Sequence, residues 1–92
     1  MNEVFHALSD PTRRRILRLL REGDLTAGEI ADQFPLSRST LSGHFKVLKN
    51  AGLIVSERNR TSIVYSLNVS AAEELIATVL TLFGKDGKRQ SP

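Results

Sequence analysis

The sequence contains no cysteine and no tryptophan, and its only methionine is at position 1. Without cysteine there is no disulfide, thiolate metal site, redox thiol or cysteine nucleophile. No apolar run approaches the roughly 18 residues that a membrane-spanning helix needs. The first ten residues, MNEVFHALSD, include acids but no Lys or Arg, unlike a secretory signal peptide. These absences predict a cytoplasmic protein with no membrane insertion.

The patterns that carry catalysis are also missing. We find no Gly-rich phosphate loop, no metal-ligand spacing, no paired acids on one helix face and no nucleophile–base pair. The 92 residues are 40% hydrophobic and 25% charged, as in an ordinary globular chain. We predict one domain over residues 1–84, followed by a polar, disordered tail at residues 85–92. The sequence therefore argues against an enzyme and predicts no cofactor.

Positive charge is concentrated in one part of the chain. The net charge is +3. Residues 1–37 hold five Arg and six acids, residues 38–60 hold five cations and one acid, and residues 61–92 hold three of each sign. The middle segment thus carries a net charge of +4, which favours an anionic partner at that surface.

That segment begins with a predicted amphipathic helix, LSRSTLSGHFKVLKN, over residues 36–50. Ser37 is a good N-cap, and an apolar stripe follows at helical spacing on Leu41, Phe45 and Leu48. The opposite face is small, polar and cationic, with Arg38, Ser39, Ser42, Gly43 and Lys46. Such a face suits the DNA major groove, although an ordinary solvated helix face has the same pattern.

Three shorter helices are predicted before this one. Residues 2–8 are too few to be stable alone. Asp10 and Pro11 can cap and begin a helix over residues 12–22, and Thr26 with Glu29 forms a capping box for a helix that runs to about residue 33. The brief turn from there to Ser37 predicts a helix-turn-helix.

A β-hairpin and a last helix are predicted after it. Gly52 is a left-handed helix cap, and two β-rich runs, residues 53–58 and 61–67, flank a polar turn. The tip of the hairpin, Arg58 to Thr61, carries two cations and no acid. Ser70 and Glu73 predict a capping box for a helix to about residue 83, whose apolar residues exceed one stripe. A second copy of the chain is the simplest partner that could bury the additional apolar residues of this helix.

The helix over residues 12–22 carries five arginines around its apolar face. They could form a nucleic-acid patch, or a solvated face whose side chains cover apolar surface and pair with nearby acids. We favour the solvated face, because residues 1–37 are slightly acidic, while one or two of these arginines could still touch phosphate.

This order of elements resembles the winged helix-turn-helix repressors of the ArsR family over about residues 4–83. The resemblance is carried by ALSDPTRRRIL from residue 7, LSGHFKVL from residue 41 and AGLI from residue 51. The chain is most similar to the SdpR-type autorepressors, which lack metal ligands. The expected fold is mainly α (α+β): four helices, a hairpin and a fifth helix, in a dimer.

The resemblance implies a repressor that binds an inverted-repeat operator as a homodimer. The recognition helix would be Ser37–Asn50 and the wing Arg58–Thr61. DNA contacts carry over by position to Ser37, Arg38, Ser39, Thr40, Ser42, His44 and Lys46, with Arg58 and Arg60 on phosphate or in the minor groove. The dimer contacts implied on the first and last helices are Val4, Phe5, Leu8, Leu75, Ile76, Val79, Leu80 and Phe83.

The chain departs from the metal-sensing members of that family. Where they carry a Cys pair, this sequence reads TAGEIADQ, and its last helix has no His. We therefore predict neither metal nor thiol sensing. His44 is interpreted as a phosphate contact or a partly buried structural residue, and His6 as a surface or dimer-rim residue.

Two other points stay open from the sequence. A winged-helix module that binds only proteins is an alternative to the DNA-binding interpretation, although the +4 segment argues against it. The effector of such a repressor could be a small molecule, a sequestering protein or nothing beyond its own concentration.

Overall fold

The computed structural model describes residues 2–84, which form five α-helices and a three-stranded antiparallel sheet. The predicted tail at residues 85–92 lies outside the described residues. In chain order the elements are α1 (Asn2–Leu8), α2 (Pro11–Arg21), β1 (Leu25–Thr26), α3 (Ala27–Ala31), α4 (Arg38–Asn50), β2 (Ile54–Asn59), β3 (Ser62–Leu67) and α5 (Val69–Leu82). The predicted winged helix-turn-helix order is confirmed, with one added strand.

The predicted caps begin two of the short helices. The Asp10 carboxylate accepts a hydrogen bond from the backbone N–H of Arg13 at 3.1 Å. Burial raises the pKa of this carboxyl, but that hydrogen bond and the positive charge of the Arg13 guanidinium act against it, and the pKa lies below its ordinary value. The Thr26–Glu29 capping box is present, with bonds of 2.8 and 3.0 Å. Local side chains therefore fix where α2 and α3 start.

The predicted start of the last helix is wrong. We expected Ser70 to cap it with Glu73, but the N-cap is Asn68, which accepts from the backbone N–H of Ala71 at 3.2 Å. The Asn68 side chain also donates to the Gly52 carbonyl at 2.9 Å. Asn68 thus satisfies two backbone groups, one of them 16 residues away, and this long-range bond selects it over Ser70.

The strand β1 was not predicted. Its two residues pair with β3, Leu25 opposite Tyr65, so the sheet order is β1-β3-β2. β3 lies between the other two strands, and its side chains from Ile63 to Leu67 are all at least partly buried.

One apolar core joins the helices to the sheet. The apolar stripe predicted on α4 is buried: Leu41, Phe45 and Leu48 are each at most 5% exposed. The Phe45 ring packs on Tyr65, with the ring centroids 4.4 Å apart. Burial raises the pKa of Tyr65, so this residue is a neutral part of the core beneath α4. The core therefore packs against the apolar face of α4, its back, and leaves the opposite face, its front, exposed to solvent.

Candidate nucleic-acid interface

The front of α4 is exposed along its length. Arg38, Ser39, Ser42, Gly43 and Lys46, the five residues predicted for this face, are all solvent-exposed. A Cβ added at Gly43 meets no atom within 4 Å, so the helix surface is open at its middle. With no carboxylate from Pro35 to Val55, the face can approach a polyanion closely.

The first turn of α4 is held by its own hydroxyls. Ser37 Oγ accepts from the backbone N–H of Thr40 at 3.1 Å and donates to Thr40 Oγ1 at 2.8 Å. The Ser39 hydroxyl lies 3.3 Å from the same Ser37 oxygen. Ser37 and Thr40, both predicted DNA contacts, therefore act in the cap, while remaining exposed at the end of α4 that enters a groove in helix-turn-helix proteins.

His44 does not share this face. Its side chain is 17% exposed and lies on the flank of α4 that faces α2. Its Nδ1 is 3.2 Å from an Arg13 guanidinium nitrogen and 3.9 Å from Asp10 Oδ2. Of the two roles considered for His44, this position favours the partly buried structural one.

Two lysines of α4 also line a groove where α4 meets the sheet. This shallow groove is lined by Ser42, Lys46, Lys49 and Asn50 over the rings of Phe45 and Tyr65. Lys49 was not among the predicted site residues. Its spacing of three from Lys46 was the available signal, because residues three apart on a helix share a face.

The wing is the β2–β3 hairpin. Asn59 pairs with Ser62, so Arg60 and Thr61 form a two-residue turn. Arg60 has a positive φ of 61°, a conformation that suits such tight hairpin turns. The guanidinium-bearing residues of the tip, Arg58 and Arg60, are both exposed. The tip of the hairpin therefore presents two exposed cations.

Four of the five α2 arginines are exposed, in agreement with the predicted solvated face, and Arg13 is the exception. Arg13 points inward and is 8% exposed, whereas Arg14 donates to the Leu8 carbonyl at 2.8 Å. The Arg15 guanidinium lies 4.8 Å from the Phe34 ring centroid. Arg21 is 3.5 Å from Glu22, and both side chains are more than 70% exposed, so this pair adds little stability.

A large apolar surface remains uncovered on α5. None of its side chains is fully buried. Of the residues predicted for a dimer, Ile76, Leu80 and Phe83 are 58%, 42% and 75% exposed, and Phe5 of α1 is 46% exposed. The other predicted dimer residues, Val4, Leu8, Leu75 and Val79, are half-buried. Leu82 and Val69 are also exposed, although they were not predicted.

Two kinds of feature are absent from residues 2–84. This part of the chain has no helix long and apolar enough to cross a membrane. It also has no group of three or more His, Cys, Asp or Glu side chains arranged to hold a metal ion.

The helix α4 has one apolar face buried in the core and an opposite, basic face exposed. A short helix and a turn precede it, and a hairpin with a basic tip follows it. This arrangement defines a winged helix-turn-helix DNA-binding protein. Residues 10–56, about half of the chain, match the model of the "Bacterial regulatory protein, arsR family". The chain belongs to the ArsR family and is a DNA-binding transcriptional repressor, not an enzyme.

Named relatives agree with this assignment. The chain is 46% identical to the transcriptional repressor SdpR of Bacillus subtilis over 92% of its own length and 94% of that protein. It is 37% identical to the arsenical resistance operon repressor of Staphylococcus xylosus, over 74% of this chain and 65% of that one. An ArsR-like transcriptional regulator from Rhodococcus sp. RHA1 superposes with a TM-score of 0.83 at 30% identity, covering 91% and 77% of the two chains.

Proposed function

We propose that the protein acts as a homodimer that binds an inverted-repeat operator, with α4 in the major groove and the wing on the DNA backbone or in the minor groove. The observation that carries this proposal is the exposed front of α4, which is cationic, small and free of acids. The proposed contacts are Ser37, Arg38, Ser39, Thr40, Ser42, Lys46, Lys49, Arg58 and Arg60.

The uncovered apolar surface supports the dimer. Ile76, Leu80 and Phe83 follow one another at spacings of four and three along α5, so they form one stripe. An exposed stripe of large apolar residues marks an interaction site. A two-fold axis would place two such stripes against each other and two α4 helices on successive major grooves, about 10 bp apart or a multiple of that.

We further propose that release from DNA uses neither metal nor thiol. The sequence has no Cys and two His. His6 is exposed on α1, and the Nδ1 atom of His44 already faces Arg13. Release then depends on a small molecule, a sequestering protein or the concentration of the repressor itself.

The proposed function is tested by titrating the purified protein against a duplex that carries the region upstream of its own gene, at several salt concentrations. We expect sequence-selective binding whose affinity falls steeply with salt, because released counterions drive binding to phosphates. Equal, weak binding to this duplex and to a scrambled one would reject autorepression. Failure to bind any duplex at low salt would reject the DNA-binding site itself.

Arg38 should read a base. It is exposed at the first position of α4, and the planar guanidinium can pair with two acceptors of guanine. Replacing Arg38 with Ala should cost about 1–3 kcal/mol of specific binding and relax base preference at one operator position. Arg38→Lys is the matched control, because it keeps the charge but loses the two-pronged geometry. Unchanged base preference in both variants would show that Arg38 contacts only phosphate.

The two wing arginines should act through charge alone. Arg58→Ala and Arg60→Asn should each weaken binding to all duplexes and lower the slope of log affinity against log salt by about one. Asn is used at position 60 because it tolerates the positive φ. Thr61→Ala, in the same turn, should leave the slope unchanged. An altered base preference with an unaltered slope would contradict this role.

A further inference from the structure

Arg13 is the only buried charged residue in residues 2–84. Its guanidinium makes three hydrogen bonds to two other elements. Nε donates to the Ala7 carbonyl at 2.8 Å, and Nη2 donates to the His6 carbonyl at 2.9 Å. Both carbonyls belong to the last turn of α1, where backbone acceptors have no partner within the helix. The third bond, from Nη1, reaches His44 Nδ1 on α4 at 3.2 Å.

The chemistry of the two groups fixes the direction of this third bond. A guanidinium has only donors, so in this bond the His44 Nδ1 atom is the acceptor. If the His44 acceptor is lost, Arg13 keeps its full desolvation cost but has only the two α1 carbonyls to offset it. The position of His44 relative to Arg13 is therefore strongly constrained.

This bond also restricts the recognition helix. The apolar back of α4 is held by the core, but hydrophobic contacts are non-directional and allow small rotations. His44 lies on the flank of α4, between the buried stripe and the exposed front. The directional Arg13–His44 hydrogen bond at this flank limits rotation of α4 about its own axis, and so sets the direction in which its exposed face points.

We propose that Arg13 and His44 are positioning residues for DNA recognition: their hydrogen bond sets the orientation of α4 relative to α2 and the end of α1. This inference rests on the proposed function, because it needs α4 to read DNA. It replaces the predicted direct contact of His44 with DNA by an indirect role. Base contacts depend on orientation more strongly than phosphate contacts, so sequence-specific binding should suffer most when the bond is lost.

The test uses two substitutions that imitate different nitrogens of His44. The side-chain amide of Asn reaches about as far as Nδ1, and that of Gln about as far as Nε2. His44→Asn therefore keeps an acceptor for Arg13, whereas His44→Gln keeps a group for an outward contact and His44→Leu keeps neither. Each full-length variant is titrated against the operator duplex and a scrambled duplex at one salt concentration, with thermal unfolding and dimer mass measured in parallel.

We expect His44→Leu to lose about tenfold or more in operator affinity, as for one hydrogen bond to a charged group, with little change on the scrambled duplex. His44→Asn should recover most of that loss, and His44→Gln should not. Recovery by Gln alone would overturn the inference, because it indicates a direct contact through Nε2. An operator affinity for His44→Leu equal to that of the wild type would also overturn it.

The His44→Leu substitution is also made in an Arg13→Lys variant, to separate loss of the hydrogen bond from a general loss of folding. Arg13→Lys keeps the buried charge and can still reach the α1 carbonyls, but its side chain is shorter and has no planar fork. In this background His44→Leu should cost much less than in the wild type, since the bond is already weakened. The same cost in both backgrounds would show that His44 acts without Arg13. Absence of duplex binding by the wild-type protein would instead reject the proposed function together with this inference.

Discussion

Replacing Ile76 with Glu should convert the protein from the proposed homodimer to a monomer and thereby abolish operator binding. The Ile76 side chain is 58% exposed in the single chain, so the substitution leaves the core of that chain intact. In a dimer, the same carboxylate would be buried without a partner, which strongly destabilises an interface. A monomer binds one half-site and loses the gain from joining two, about 10²–10⁴-fold in affinity.

The measurement combines sedimentation of the free protein with titration of the operator duplex. Thr81→Glu is the matched control, because Thr81 is exposed on the polar side of α5 and receives the same charge. It should remain dimeric and bind normally. A dimeric Ile76→Glu variant with full affinity would show that the apolar stripe of α5 is not the dimer contact.

Replacing Gly43 with Glu should eliminate DNA binding without unfolding the protein. Gly43 lies on the exposed front of α4, and a side chain there has open space. In a bound complex that space would be occupied by DNA, and like charges brought together at an interface cost several kcal/mol. The expected loss is therefore at least about 100-fold.

The same position separates function from stability. Glycine inside a helix is about 1 kcal/mol less favourable than alanine, so Gly43→Ala should raise the free energy of unfolding while it weakens DNA binding. Gly43→Gln, equal in size to Glu but uncharged, measures the steric part alone. If Gly43→Glu bound the operator as well as the wild type, the front of α4 could not be the DNA-facing surface.

Much of the fold follows from short-range chemistry that a sequence displays. The Asp10 cap, the Thr26–Glu29 capping box and the left-handed Gly52, with its φ of 76°, each depend on a few adjacent residues. The buried stripe of α4 follows from helical periodicity, and the basic front follows from the same periodicity combined with charge counts. The exposed, basic face of α4 was therefore predictable before the fold was known.

The features that sequence could not supply depend on distant parts of the chain. The strand β1 is only two residues long, too short to show the alternation of apolar and polar residues that marks a strand. It forms by pairing with the edge of β3. Asn68 caps α5 instead of Ser70 because it also reaches Gly52. In the sequence Arg13 looks like the arginines beside it. It alone is buried, because its guanidinium hydrogen-bonds to two carbonyls of α1 and to the ring of His44.

The most direct test of a dimeric DNA reader is a selection of duplexes from a random pool, followed by measurement of how many chains bind the selected duplex. We expect enrichment of an inverted repeat whose half-sites are separated by about 10 bp or a multiple, bound by two chains. We also expect the affinity for this duplex to fall steeply with salt. Enrichment of a single half-site bound by one chain would contradict the dimer, and no enrichment at low salt would contradict DNA reading and favour a protein-binding module.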